Sequence, residues 1–207
     1  NTTGACNVAV GSSALYSNTT ASNNTAIGVL ALGANTTGST NVAIGRKTMC
    51  TNTTGANNTA IGNQSLEQNT TADNNTAVGN ASLDANTTGA GNTALGQSSL
   101  GSNTTASDNT AVGHQALFTN VTGANNVAVG KNALYYNTAS TNTAIGNLAM
   151  TNTSTGAGNT AVGQNALTAN TEGENNVAIG KNALDANTTA DSSVAIGFDA
   201  LTAQTTA

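Results

Sequence analysis

A five-residue unit recurs at a fixed interval along the whole chain and constrains its fold more than any other feature. Asn-Thr-Ala-Ile-Gly at 24–28, or a close variant of it, occurs twelve times in 207 residues. The interval is 17 residues, apart from one 16-residue step between Asn126 and Asn142. The units begin at 7, 24, 41, 58, 75, 92, 109, 126, 142, 159, 176 and 193. A period of this length is the signature of a solenoid, in which each repeat stacks on its neighbours.

Numbered from the leading Asn, the repeat holds apolar residues at four places. Repeat position 3 is always Ala, position 4 is Ile, Val or Leu, position 8 is small, and position 9 is Leu or Met. Position 5 is Gly in all twelve copies, and positions 12–15 are typically Asn-Thr-Thr-Gly. Residues 1–207 therefore form one repeat array, and its first and last residues fall inside repeats, so we expect a fragment of a longer array.

Local propensities predict short strands and turns rather than helices. Thr, Val and Ile at positions 2 and 4 favour a strand, and the following Gly ends it. A second short strand fits the Ala-Leu pair at positions 8 and 9, with a single helical turn as the alternative. Asn-Thr-Thr-Gly is a turn, because Asn and Gly tolerate positive φ. The prediction is an all-β fold, a parallel β-solenoid or β-roll of about twelve 17-residue coils.

Alternation along these strands leaves two possibilities for the apolar residues. Ala26 and Ile27 point to opposite faces of an extended strand, as do Ala31 and Leu32. One set would then line the interior and the other would form an outer stripe, which favours an oligomer such as a trimer. Alternatively, kinks at glycines such as Gly28 turn both residues of each pair inward. The leading Asn side chains can stack along the rod as amide ladders, and the turn threonines can stack their hydroxyls.

The repeat motifs resemble those of a known family. Asn-Val-Ala-Val-Gly at 7–11 and Asn-Val-Ala-Ile-Gly at 41–45 and 176–180 resemble the head repeats of trimeric autotransporter adhesins of the YadA type. Similar arrays occur in phage tail fibres and in large bacterial surface proteins. The resemblance covers the whole chain and implies a β-roll in each chain, with three rolls about a common axis. It implies an extracellular location, on a cell surface or a virion appendage.

Composition and isolated residues argue against several function classes. Four Lys and Arg in 207 residues cannot neutralise a nucleic-acid backbone, and no apolar run approaches the roughly 20 residues of a membrane span. His114, the single histidine, has no metal-ligand pattern around it, and Cys6 and Cys50 lie too many coils apart for a disulfide. The acidic residues occupy variable positions and form no calcium-binding ladder. We expect no enzyme activity and no cofactor or metal.

Two features suggest further functions. Asn-x-Thr sequons mark turn asparagines as sites of glycan attachment or surface contact; these are Asn1, Asn18, Asn35, Asn52, Asn69, Asn86, Asn103, Asn120 and Asn187. Aligned threonines of the same turns would present hydroxyls that could bind ice. The sequence thus predicts a structural or adhesive segment of an extracellular fibre, which associates with copies of itself and contacts a host surface or matrix. The alternatives are a glycan-coated single-chain filament and an ice-binding solenoid.

Overall fold

The computed structural model describes residues 1–203 as a single parallel β-solenoid. Each coil contributes one three-residue strand, and each strand pairs with the strands of the coils before and after it. The predicted fold class, all-β with about 17 residues per coil, is confirmed. The strands are β1 (Val8–Val10), β2 (Thr25–Ile27), β3 (Val42–Ile44), β4 (Thr59–Ile61), β5 (Thr76–Val78), β6 (Thr93–Leu95), β7 (Thr110–Val112), β8 (Val127–Val129), β9 (Thr143–Ile145), β10 (Thr160–Val162), β11 (Val177–Ile179) and β12 (Val194–Ile196).

The strands stay in register through the short repeat. Val127 of β8 lies opposite Thr143 of β9, and Ala128 lies opposite Ala144, as in every other pair. The missing residue falls in the turn, where Ala139 takes the place of repeat position 15 and its carbonyl accepts a hydrogen bond from the Asn126 amide at 2.9 Å. A turn can lose one residue without disturbing the strands, whereas a deletion within a strand would invert its inward and outward faces.

The second predicted strand, at positions 8 and 9, is wrong, and so is the alternative of a helical turn. Positions 6–11 form consecutive turns, in which the residues at positions 7 and 9 have positive φ, as at Leu30 (62°) and Leu32 (49°). Coils remain bonded there, since the Leu32 N–H donates to the Thr48 carbonyl at 3.0 Å. Left-handed conformers bend the chain so sharply that Ala31 and Leu32 both point inward and are fully buried.

The apolar interior is narrow and is made of alanine and leucine. Position 3 alanines such as Ala60 face position 9 residues such as Leu66, and both are fully buried in the same core. Position 4 points outward instead: Ile27 and Ile61 are each 38% exposed. The outer stripe is therefore present at position 4, and both residues of a pair turn inward only at positions 8 and 9, where the chain bends through residues of positive φ such as Leu30.

Glycine is required at position 5 for two reasons: the backbone of the next coil lies very close to its Cα, and its own backbone has a positive φ. At Gly79 the φ is 139°, and an added Cβ would lie 2.5 Å from the carbonyl oxygen of Gly96 in the next coil. L-residues rarely adopt this conformation, and the atom in the way is backbone, which cannot rotate aside. The same geometry recurs at each position 5 that has a coil after it, which explains why the residue never varies.

We therefore expect Gly79→Ala to lower the free energy of unfolding by at least about 2 kcal/mol, through backbone strain and displacement of the next coil. Gly33→Ala is the matched control, because its added Cβ would come no closer than 3.3 Å to the Leu30 carbonyl oxygen. Chemical denaturation followed by circular dichroism measures both. An equal loss from the two variants would contradict this role for position 5.

Candidate functional site

Two columns of asparagine side chains run inside the rod beside the apolar core. The first is the leading Asn of each repeat. In the coil of Asn24, its Oδ1 accepts the backbone N–H of Asn41 in the next coil at 2.9 Å. Its Nδ2 donates to the carbonyl of Gly38 in its own coil, also at 2.9 Å. This side chain thus joins the strand to the turn and one coil to the next, and the predicted asparagine ladder is confirmed.

The second column consists of the asparagines at position 12, which begin the turns. The Asn35 Nδ2 donates to the Asn18 Oδ1 at 3.2 Å and to the Gly38 carbonyl at 2.9 Å. The carbonyl of position 15 is therefore an acceptor for both columns. Because that carbonyl faces the interior, it needs such donors to avoid the cost of a buried unpaired polar group.

The sequon asparagines belong to this second column, so the structure places the predicted glycan-attachment or surface-contact residues inside the rod. Eight of the nine are buried, among them Asn52 and Asn69, and only Asn1 at the end of the rod is exposed. Their side chains are therefore not accessible to a binding partner of the folded rod. A glycan on Nδ2 would replace an amide hydrogen that the ladder uses, as at Asn69, which donates to the Asn52 Oδ1 at 2.8 Å. That these residues carry glycans stays a prediction.

Removing one amide from the second column tests its contribution. Asn69→Ala deletes the bond to Asn52 and the 3.1 Å bond to the Ala72 carbonyl. It also deletes the 3.2 Å bond that the Asn69 Oδ1 accepts from the Asn86 Nδ2. We expect a loss of about 1–3 kcal/mol in the free energy of unfolding, because buried polar partners are left unpaired. The neighbouring control Gln68→Ala removes an exposed side chain and should change the free energy by less than about 0.5 kcal/mol. If both substitutions were neutral, the ladder would contribute nothing to stability.

The two threonines of each turn have different environments: one is hydrogen-bonded to the next coil and the other is exposed to solvent. The hydroxyl at position 13 does not stack on other hydroxyls but donates to the backbone carbonyl of position 13 in the next coil, as from Thr36 to Thr53 at 3.0 Å. Position 14 threonines such as Thr37 and Thr105 are exposed. Half of the hydroxyls in the predicted ice-binding turn are thus used to hold coils together.

The outward side of the twelve strands forms a further candidate surface, here called the strand face. It consists of the residues at positions 2 and 4, which are Thr or Val and Val, Ile or Leu respectively, without a charged residue in any strand. Leu95 is 47% exposed and Ile145 41%. In the described chain, position 2 hydroxyls such as those of Thr59 and Thr93 have no protein partner. The strand face is a regular array of methyl groups and free hydroxyls.

A group of ionisable side chains lies at repeat positions 7 and 10 of three successive coils, away from the strand face. The Lys47 Nζ lies 3.3 Å from the Glu67 Oε1, and the Gln64 Nε2 donates to the Glu67 Oε2 at 2.7 Å. Asp84 follows Glu67 at the same repeat position, and its Oδ1 is buried without a hydrogen-bond partner. Burial raises the pKa of the Asp84 carboxyl above its ordinary value of 3.8, and the Glu67 charge adds to that effect. Burial, followed by the Glu67 charge, also raises the pKa of the Cys50 thiol.

The sign of the Asp84 shift predicts how stability depends on pH. Because its pKa is higher in the folded state, the folded rod binds this proton more tightly than the unfolded chain does. The Asp84 contribution to stability therefore falls as the pH rises from near the ordinary value of 3.8 through the folded pKa. We expect Asp84→Asn to raise the melting temperature at pH 7, and the advantage to shrink towards pH 4. Exposed Asp73→Asn is the control; if both variants had the same pH profile, burial of Asp84 would not matter.

Other residues singled out in the sequence are scattered. His114 is exposed at position 6, and Cys6 and Cys50 are both unpaired within the chain, as predicted. Residues 1–203 bring no three His, Cys, Asp or Glu side chains together in a metal-binding arrangement and enclose no pocket. No helical segment in that part of the chain has the length and hydropathy required for a bilayer span.

The functional candidates are therefore surfaces and columns rather than a pocket. The interior role of position 12 was missed from the sequence, although its near-invariance as Asn was the available signal; a turn alone would also accept Asp, Ser or Gly. Searches against protein-family models, curated proteins and solved structures found no significant match to the chain.

Proposed function

We propose that the chain is a stiff structural segment of an extracellular fibre, such as a surface adhesin, an appendage filament or a phage tail fibre. The observation that carries this proposal is the identical bonding of successive coils, with one strand pair and one asparagine bridge repeated along the rod. At about 4.8 Å per coil, such an array converts chain length directly into rod length. The resemblance of its motifs to adhesin head repeats supports the extracellular location.

Adhesion, on this proposal, is distributed along the rod. A host surface or matrix would be held by many weak contacts, since each coil presents nearly the same side chains as the next. Antibodies raised against the rod and applied to intact source cells or particles test the location. Labelling of external filaments supports the proposal, and labelling only after permeabilisation contradicts it.

The strand face is the surface through which we propose that copies associate, in a trimer or another homo-oligomer. Parallel sheets are normally covered on both faces, whereas here only the Ala side of the sheet is covered within the chain. Isolated exposed apolar residues are ordinary, but a continuous uncharged stripe twelve strands long usually marks an interface.

Leu95→Lys, at the centre of the strand face, should shift the purified rod from oligomer towards monomer in sedimentation velocity. A charge there would have to be buried without a partner, which costs several kcal/mol per site. Gln97→Lys adds the same charge two residues away at exposed position 6 and should leave the oligomer intact. A wild-type chain that is monomeric at high micromolar concentration would contradict association through this face.

Ice binding is a second candidate function, and the free hydroxyls of the strand face favour it there rather than on the turns. Position 2 is either Thr or its isostere Val, so this row of the strand face keeps one side-chain shape along its length. Thermal hysteresis that is abolished by Thr93→Lys and retained in Thr105→Lys would support it. The absence of hysteresis in a monomeric rod would dispose of it.

The glycan-coated filament is the remaining alternative. Because the sequon amides are hydrogen-bonded in the folded rod, attachment at Asn69 or Asn86 would have to precede folding and replace ladder bonds. The intact mass of the native protein decides the point: a mass equal to that of the bare sequence excludes glycosylation, and added hexose masses mapped to the sequons support it.

A further inference from the structure

The turn corner, defined as repeat positions 12 and 13, is bonded in the same way over most of the rod. In a regular coil the position 12 amide donates to the preceding coil, as from Asn69 to Asn52 at 2.8 Å. At position 13, the backbone N–H and the hydroxyl of Thr70 both donate to the Thr87 carbonyl at 3.1 Å. Three hydrogen bonds thus join each corner to its neighbours.

Several of these bonds are missing in one stretch. The amide of Asn137 makes no bond to Asn120 and keeps only the bond within its own turn, to the Ala139 carbonyl at 2.7 Å. In the next coil Thr153 stands in place of Asn, and its Oγ1 is buried without a hydrogen-bond partner. Within the described residues, Val121 at position 13 forms no backbone hydrogen bond with Thr104 or Thr138.

The remainder of these coils is intact. Strands β7, β8 and β9 pair in the usual register. At position 9 the Leu117 N–H donates to the Ala133 carbonyl at 2.9 Å, and the Leu134 N–H donates to the Ala149 carbonyl at 3.0 Å. The loss of bonding is therefore confined to the turn corner.

Aromatic side chains add contact immediately before the same corner. The rings of Phe118 and Tyr135 stack with centroids 5.3 Å apart, and Tyr136 packs edge-on against Tyr135 at 4.6 Å. These three are among only five aromatic residues in the chain. The Phe118–Tyr135 pair joins neighbouring coils at position 10, so that opening of the corner need not spread into the apolar core.

We propose that this corner, comprising Asn120, Val121, Asn137 and Thr153 and here called the weak corner, is a built-in opening point of the rod. Under heat or tension it separates first, while the strands and the leading asparagine column keep the coils stacked. The fibre then has a fixed place at which it yields. A mechanical role for this opening point rests on the fibre function proposed above, whereas the opening itself is a property of the isolated rod.

Hydrogen–deuterium exchange of the purified chain tests the opening directly. The comparison uses amides that are hydrogen-bonded at both places: Asn120 and Asn137 at the weak corner, and Asn52 and Asn69 at a regular one. Exchange at the weak corner should be roughly tenfold faster or more, the effect of losing one or two hydrogen bonds from the closed state. Equal protection at the two corners would overturn the proposal.

Two matched double variants test the same point, one restoring the regular residues at the weak corner (the repair) and one placing the weak-corner residues at a regular corner (the transplant). Val121→Thr with Thr153→Asn should slow exchange at the weak corner towards the regular rate, and Asn69→Thr with Thr70→Val should create fast exchange at the regular corner. Strand amides such as that of Ala128 should be unchanged by the repair. A repair without effect at the weak corner would also overturn the proposal, even if the transplant unfolded the chain. Failure of the extracellular location would appear only in the antibody experiment.

Discussion

The structure depends on the carbonyl at repeat position 15 and the two asparagines that donate to it. In the coil of Gly38, this oxygen accepts Nδ2 of Asn24 and Nδ2 of Asn35, both at 2.9 Å. A coil with one strand and several turns has many backbone groups that cannot pair within a sheet, and burying them unpaired would unfold it. The asparagine amides satisfy these groups and also reach the adjacent coils, so one residue type closes the coil and stacks it.

This bonding explains how a chain with so few large apolar residues folds at all. On one side of the interior lie Ala and Leu, and on the other the asparagine columns. Glycine at position 5 and left-handed residues at positions 7 and 9 keep the coil tight enough for both sides to touch. Since each coil contacts only its neighbours, stability comes from repetition, and one altered turn, such as that of Thr153, weakens the rod locally.

Much of this architecture could be predicted from the sequence because the period is explicit. The solenoid, the strand at positions 2–4 and the leading asparagine ladder follow from alternation and from residue types that recur. The second strand was wrong because Ala-Leu suggests an extended or helical segment, whereas Leu32 has a φ of 49°, a conformation that is uncommon for residues other than glycine. The residue types at positions 7 and 9 gave no signal of it.

The candidate surfaces were harder to predict for a related reason. A sequon and a turn motif are local features, so Asn35 and Asn52 were expected outside, but their burial depends on a partner 17 residues away. The free hydroxyls of the strand face were likewise not distinguished from those of the turns, because their difference lies in which hydroxyls find a backbone carbonyl in the next coil.

We conclude that asparagine columns inside the rod hold each coil together, and cryo-electron microscopy of isolated rods at side-chain resolution can test this. We expect one strand per coil, with Asn24 and Asn35 pointing inward towards the Gly38 carbonyl and Leu32 opposite them. Asparagines at position 12 that point to solvent, or a second strand that carries Ala31 and Leu32 on opposite faces, would contradict it.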